Sequence, residues 1–323
     1  MPVPVKFVGQ TRLPVIAAPM FLVSMPELVV ACCRAGIIGT FPALNHRTTA
    51  GFEAWLGDIE AALTAARAAD PAAIVSPYGV NLIVHRTNPR VQADLEAIVR
   101  HRVPLVITSL GAVKEVVDAV HSYGGQVFHD VTNVRHARKA IGAGVDGLIL
   151  VCAGAGGHAG VLSPFALLPE IRQIFAGTIA LAGCISDGAS VASALALGAD
   201  YAYMGTRFIA TRESAAEAPF KQMVLDTVAD DIVYTAAISG IPASFMGPSL
   251  LRAGLDPKAL PKEKKEIALG EELNTESKAW KDIWSAGQGV GGIHDVPTVA
   301  ELVDRLYSEA VAASDQLRVA VAG

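Results

Sequence analysis

The chain has 323 residues, of which 52% are hydrophobic and 18% are charged, and this composition argues against a disordered or fibrous protein. The formal net charge is −5 and the basic residues are dispersed, so the sequence offers no basic surface for nucleic acid. Four cysteines show no CxxC spacing and predict neither a metal centre nor a disulfide framework. We expect reduced, mostly buried thiols of a cytoplasmic protein at Cys32, Cys33, Cys152 and Cys184.

The first apolar stretch, residues 13–25, resembles a signal sequence because it follows basic residues. Pro14, Pro19 and Pro26 argue against a helical segment there, and the stretch is too short to span a bilayer. We interpret it as a buried strand followed by a loop, and we predict no membrane segment.

Short apolar runs alternate with helical patterns along the chain. The runs predict strands covered on both faces, at 14–18, 37–40, 78–82, 105–108, 126–129, 147–151, 178–182 and 201–204. Helices are predicted at 26–35, 51–69, 89–101, 113–122, 134–141, 164–175 and 189–197. Eight such units predict an α/β fold, a TIM (β/α)8 barrel. The alternative, an open doubly wound sheet, expects a glycine fingerprint after the first strand, where this chain has Ala17-Ala18-Pro19-Met20.

The repeat stops after the eighth predicted strand. Residues 212–284 lack a barrel-like pattern and include the charged run 261–266, which we interpret as a solvated helix or loop. We predict a mostly helical insertion here that caps the mouth of a barrel formed by residues 1–211 and 285–323. A final amphipathic helix is predicted at 298–311.

Two consecutive strand ends carry glycine loops that suit a phosphate. Gly183 follows the seventh predicted strand, and Gly205 and Thr206 follow the eighth. In many barrels these neighbouring loops bind a phosphate through backbone N–H groups, because glycine allows the anion to approach the chain. The alternative is that both are simple tight turns.

A third loop, residues 152–160, surrounds His158 with glycines and other small residues. A histidine in such a setting is a candidate for proton transfer near neutral pH. Near the C-terminus, Ser285 and Gln288 offer a hydroxyl and an amide that suit a phosphate and a ring carbonyl, although an ordinary polar loop explains them as well.

Six motifs give the sequence a specific resemblance. They run in order over nearly the whole chain: Ala18-Pro19-Met20, Gly79-Val80-Asn81-Leu82, Ala155-Gly156-Gly157-His158-Ala159-Gly160, Ala194-Leu195-Ala196-Leu197-Gly198-Ala199-Asp200, Met204-Gly205-Thr206-Arg207-Phe208 and Trp284-Ser285-Ala286-Gly287-Gln288. With these motifs the chain resembles the nitronate monooxygenase (2-nitropropane dioxygenase) family, which also includes NADH:quinone reductases and the FMN-dependent enoyl-acyl-carrier-protein reductase II. The motifs do not separate the members of this superfamily.

The resemblance implies FMN as the cofactor and His158 as the catalytic histidine. The implied FMN contacts are Ala18, Pro19, Met20, Asn81, Gly156 and Gly157 at the ring, Gly183, Gly205 and Thr206 at the phosphate, and Ser285 and Gln288 completing the pocket. Some relatives place a lysine near the flavin at the end of the fifth strand, where this chain has Phe128-His129-Asp130-Val131; His129 either replaces that lysine or points elsewhere. The usual Gly-Gly after the seventh strand is Gly183-Cys184 here.

The resemblance leaves several functions open. The first is an FMN-dependent nitronate monooxygenase that oxidises alkyl nitronates with O₂ to a carbonyl compound and nitrite. His158 would then remove a proton from a neutral nitroalkane or orient the nitronate. The alternative is an NAD(P)H-dependent flavin reductase of quinones or enoyl thioesters, in which His158 donates a proton; a flavin-binding module without activity is the third. We expect a small-molecule substrate and a monomer or homodimer.

Overall fold

The computed structural model describes residues 7, 9–111, 113–260 and 282–322, and its central element is a closed parallel barrel. Eight strands form the barrel in the order of the chain, and the last pairs with the first. They are β1 (Val15–Ala17), β2 (Ile38–Pro42), β3 (Tyr78–Ile83), β4 (Leu105–Ser109), β5 (Gln126–Val131), β6 (Gly147–Val151), β8 (Thr178–Ala182) and β9 (Tyr201–Met204). The predicted TIM-barrel fold is confirmed.

Helices cover the outside of the barrel. They are α1 (Pro26–Arg34), α2 (Thr49–Ala69), α3 (Val91–Arg100), α4 (Lys114–His121), α5 (Val134–Ala143), α6 (Pro164–Arg172), α7 (Gly188–Ala196), α8 (Thr206–Ile209) and the C-terminal helix α11 (Val299–Ala322). Their ends follow local rules: Asp187 and Ser190 form a capping box at the start of α7, and Gly144 ends α5 with a left-handed φ of 87°. Helix α11 continues well past the predicted end at residue 311.

The side chains of the barrel strands divide into two packing layers. Ile107, Phe128 and Ile149 belong to the cluster inside the barrel. Their sequence neighbours Val106 and Val127 belong to the larger cluster between strands and helices. This division follows from the alternation of side chains along a strand, and it also decides which polar groups at the strand ends face the interior.

Residues 212–260 form a smaller unit that differs in part from the prediction. It contains α9 (Ala218–Asp226), α10 (Gly247–Arg252) and an antiparallel pair of strands, β10 (Ile232–Thr235) and β11 (Ala243–Met246). Strand β11 also pairs with the two-residue strand β7 (Gly157–His158), which follows β6. The prediction missed this sheet because its strands are short and because β7 pairs with β11 across a long stretch of sequence. The charged run 261–266 lies outside the described residues.

This unit packs on the mouth of the barrel. Phe220 of α9 stacks on Trp284, with ring centroids 4.8 Å apart and planes 8° from parallel. Both belong to an apolar cluster that also contains Val23 and Ile209, which follow β1 and β9. None of the helices in the described part of the chain combines the length and apolar character needed to span a bilayer.

Candidate active site

A cavity of about 870 Å³ lies at the C-terminal ends of the barrel strands. Barrel enzymes place their active sites at this end, and the volume lies within the range of small-molecule sites, about 300–1,000 Å³. Its wall combines loops that follow the barrel strands with Phe220 and Tyr234 of residues 212–260, which we call the capping unit, and with Trp284.

Twelve of the thirteen predicted site residues line this cavity. They are Ala18, Pro19, Met20, Asn81, His129, Gly156, Gly157, His158, Gly183, Gly205, Thr206 and Ser285. Gln288 is exposed and is not part of this lining, although Gly287 and Gly289 are, and its contact with a flavin stays a prediction. The backbone N–H of Gln288 donates to the carbonyl of Gly154 at 2.8 Å, so this residue holds the loop that precedes His158.

His158 is held in a strand rather than on a loose glycine rim. It pairs with Ala243 of β11, and the neighbouring Gly157 pairs with Ser244. The hydroxyl of Ser285 joins the two strands, because it accepts the N–H of Gly157 at 2.7 Å and donates to the carbonyl of Ser244. The capping unit therefore fixes the backbone that carries the imidazole.

The imidazole of His158 is neutral at neutral pH. It is half-exposed as a residue, yet burial of its ring lowers the pKa of His158 to about 4. A neutral imidazole offers one N–H donor and one acceptor nitrogen. The group therefore suits hydrogen bonding to an anionic ligand better than removal of a tightly held proton, for which a pKa near the working pH is optimal.

The predicted phosphate loops both open onto the cavity. Gly183 has a φ of 133° and the following Cys184 a φ of 56°, so both adopt conformations that favour glycine. This explains why two consecutive glycines suit this turn. Gly205 precedes α8, whose first residue, Thr206, accepts the N–H of Gly287 at 2.9 Å. The hydroxyl of Thr206 thus ties the second loop to the segment that carries Ser285.

The fifth barrel strand places two polar residues on opposite faces. His129 lies at the edge of the cavity on the helix-facing side of β5, where its Nδ1 contacts the hydroxyl of Thr108 at 2.7 Å. Burial, followed by the charges of His136 and Lys139, lowers the pKa of His129 to about 4. We predicted that His129 either replaces the lysine that some relatives place beside the flavin or points elsewhere. On β5 the position that faces the barrel interior belongs to Asp130.

Asp130 ends a polar chain that sequence reasoning missed. Asn81 donates to the hydroxyl of Ser109 at 2.7 Å, and Ser109 donates to Oδ2 of Asp130 at 2.5 Å. Asn81 and Asp130 pair in register with Ile107 and Ile149, two interior residues, so this polar layer forms the floor of the cavity. The signal was present in the alternation of Phe128, His129 and Asp130, which puts the carboxylate on the side of the interior phenylalanine.

Comparisons with known proteins identify the family of this chain. Residues 5–309 match the family described as nitronate monooxygenase. A nitronate monooxygenase of Paraburkholderia phytofirmans is 30% identical, with 94% of each chain covered. The (3aS,4S,5R,7aS)-5-hydroxy-7a-methyl-1-oxo-octahydro-1H-indene-4-carboxyl-CoA dehydrogenase of Rhodococcus jostii is 24% identical, again over 94% of each chain.

Among solved structures, nitroalkane oxidase from Streptomyces ansochromogenes has the same fold, with a TM-score of 0.80 and 24% identity over 96% of this chain and 99% of that one. The barrel, its strand-end cavity and the match over nearly the whole sequence lead to one conclusion. The chain belongs to the nitronate monooxygenase family and is an oxidoreductase.

Proposed function

We propose that this protein is an FMN-dependent nitronate monooxygenase, which oxidises alkyl nitronates with O₂ to a carbonyl compound and nitrite. The observation that carries the proposal is that His158 and the glycine loops of Gly183 and Gly205 share one cavity in a member of this family. A small organic anion and a flavin are the molecules that such a site suits.

The residues present fit FMN. A Cβ added at Gly157 would meet no atom within 4 Å, and a Cβ added at Gly205 would meet none closer than 3.6 Å, so both glycines leave open space on the cavity wall. No side chain caps the start of α8, so a phosphate would not compete with a side chain for the first N–H groups of this helix. Bound FMN would supply one- and two-electron redox chemistry. Gly183, Gly205 and Thr206 would hold its phosphate, and Ala18, Pro19, Met20 and Asn81 its ring.

The low basicity of His158 favours a preformed nitronate over a neutral nitroalkane. A group with a pKa of about 4 is a weak base at neutral pH. A neutral imidazole nevertheless keeps one N–H group, and an N–H group suits an anionic nitro oxygen. His158 would then orient the nitronate, whose carbon-bound proton has already been lost.

A specific observation also favours the second candidate, an NAD(P)H-dependent reductase of quinones or enoyl thioesters. His136 and Lys139 of α5 line the cavity, and Arg135 and Arg138 lie exposed on the same helix. These groups suit the phosphates of a nicotinamide nucleotide or of coenzyme A. A relative that acts on a coenzyme A ester, the Rhodococcus jostii dehydrogenase, gives this candidate further weight.

Anaerobic reduction of the bound flavin separates the two candidates. NADH, NADPH and the nitronate of nitroethane are added in turn, and the loss of visible flavin absorbance is followed by stopped flow. The proposal expects rapid loss with the nitronate and nitrite release in air. Faster loss with NADH or NADPH would favour the reductase, and release of FAD, or of no flavin, on denaturation would overturn the cofactor.

A further inference from the structure

Asp130 places a buried carboxyl group on the cavity floor that the roles proposed above do not use. One of its oxygens, Oδ2, accepts from Ser109, while Oδ1 is buried and has no hydrogen-bond partner among the described residues. Asp130 also lines the cavity. A buried carboxyl oxygen without a partner costs folding free energy, so its retention suggests a ligand that completes it.

The hydrogen bonds around Asp130 run in one direction. The amide nitrogen of Asn81 donates twice, to the carbonyl of Ile107 at 3.2 Å and to the hydroxyl of Ser109 at 2.7 Å. Two acceptors around this nitrogen fix the orientation of the amide. Ser109 therefore accepts from Asn81 and gives its own proton to Oδ2 of Asp130. Any proton that Asp130 carries would therefore sit on Oδ1, the oxygen that has no hydrogen-bond partner among the described residues.

We propose that Asp130, in its protonated form, is a hydrogen-bond donor of the substrate site and that its Oδ1–H binds an oxyanion oxygen, such as a nitronate oxygen. This inference rests on the proposed function and names a residue that would contact its substrate. Ser109 and Asn81 act through Asp130 and are positioning residues.

The surroundings of Asp130 favour the neutral acid. Burial raises the pKa of Asp130 to about 6, and the hydrogen bond from Ser109 opposes that rise. Other titratable groups that line the cavity include Tyr203, whose pKa is raised by burial and then by the charge of Asp130, and the neutral His129 and His158. Lys139, with His136, lies on α5 at the rim, where its positive charge favours an anion.

The test measures binding of nitrate, a planar oxyanion that does not titrate in this range, by calorimetry between pH 5 and pH 8.5. In the wild-type holoenzyme the dissociation constant should rise about tenfold per pH unit above about 6, because the ionised carboxylate repels the anion. Asp130→Asn should bind nitrate with little pH dependence, since its amide donates permanently from the same place. At pH 8 the variant should bind about 100-fold more tightly than the wild type.

Two further variants sharpen the result. Ser109→Ala removes the hydrogen bond that favours the carboxylate and should move the loss of affinity to higher pH. Asp118→Asn removes an exposed carboxylate of α4 that pairs with Lys114 and changes the net charge equally, so its profile should match the wild type.

Three outcomes would overturn the proposal. Parallel pH profiles for the wild type and Asp130→Asn would remove Asp130 from the oxyanion contact, and weaker binding by the variant at every pH would do the same. The third outcome is that Asp130→Asn abolishes the pH dependence of the flavin midpoint potential but not that of nitrate binding. Asp130 would then donate to the cofactor and not to the substrate. FMN content is measured in the same samples, so that a failure of the proposed function is scored separately.

Discussion

Replacing Ser285 by alanine tests whether the capping unit positions His158. The hydroxyl of Ser285 is the bridge between β7 and β11, and alanine removes it without adding volume. The N–H of Gly157 and the carbonyl of Ser244 then both lose a partner. Gly157 is half-exposed and Ser244 is buried, so water can replace the first contact more easily than the second.

The expected loss of stability follows from these two groups. A buried polar group left without a partner costs about 1–3 kcal/mol, and partial hydration keeps the sum of both within that range. The unfolding entropy is about 2.1 cal/mol/K per residue, so for 323 residues this corresponds to about 2–4 °C in Tm. A shift of His158 by a fraction of an ångström should lower nitronate turnover by about 10- to 100-fold.

Three measurements check this reasoning: Tm, FMN content and steady-state turnover. Ser193→Ala is the matched control, because Ser193 is exposed on α7 and its hydroxyl donates to the carbonyl of Ala189 within the helix. This control should change stability by less than about 0.5 kcal/mol and leave turnover intact. Ser285→Thr retains the hydroxyl and should recover most of the activity. Wild-type turnover and Tm in Ser285→Ala would refute the bridge.

Three other perturbations give distinct results. His158→Ala should retain FMN and lower turnover of a preformed nitronate by about 100-fold, because the anion loses the hydrogen bond that orients it; unchanged steady-state turnover of the nitronate would contradict this role. Cys184→Gly should retain stability because Cys184 has a φ of 56°, and it should retain activity because burial raises the pKa of the Cys184 thiol. Cys184→Val should lower the free energy of unfolding by about 1–3 kcal/mol, because valine is strained at this φ. Loss of turnover in the glycine variant would make the thiol a reacting group. Asp130→Asn should raise Tm more at pH 8 than at pH 4. The pKa of Asp130 is about 6 in the folded protein and 3.8 for an ordinary aspartate, so the unfolded chain loses this proton at lower pH. The stability of the wild type therefore falls as the pH rises from 3.8 to 6. An equal gain in Tm at both pH values would contradict the raised pKa.

The barrel could be predicted from the sequence because its signals are local. Runs such as 147–151 and 178–182 are apolar throughout, as strands buried on both faces must be, and the structure reproduces both predicted ranges. The strand-end glycines were equally visible, since a φ of 133° at Gly183 needs glycine whatever the distant sequence. Barrel topology then brings these separate loops to one end without further information.

The polar layer at the floor of the cavity was not predicted from the sequence, because the predicted fifth strand ends too early. We predicted residues 126–129 as the fifth strand, and His129 became a candidate through the family resemblance, while Asp130 was not considered. The strand continues to Val131, and the pairing of Asp130 with the interior residue Ile149 places this carboxylate on the interior face, beside the cavity that His129 also lines. A strand boundary misplaced by two residues thus changes the chemistry assigned to the site, because side chains on a strand alternate between two faces.

The surroundings of His158 were beyond sequence reasoning for a different reason. The hydroxyl that bridges β7 and β11 belongs to Ser285, 128 positions from Gly157, and β11 itself pairs across the capping unit. Neither glycine nor histidine favours a strand, so β7 forms only because Ser244 and its neighbours supply a partner. The low pKa of His158 is a further consequence, because a loop histidine open to water would keep its ordinary basicity. The basicity of this residue is therefore set by tertiary packing, and a change in the capping unit can alter it without touching the barrel.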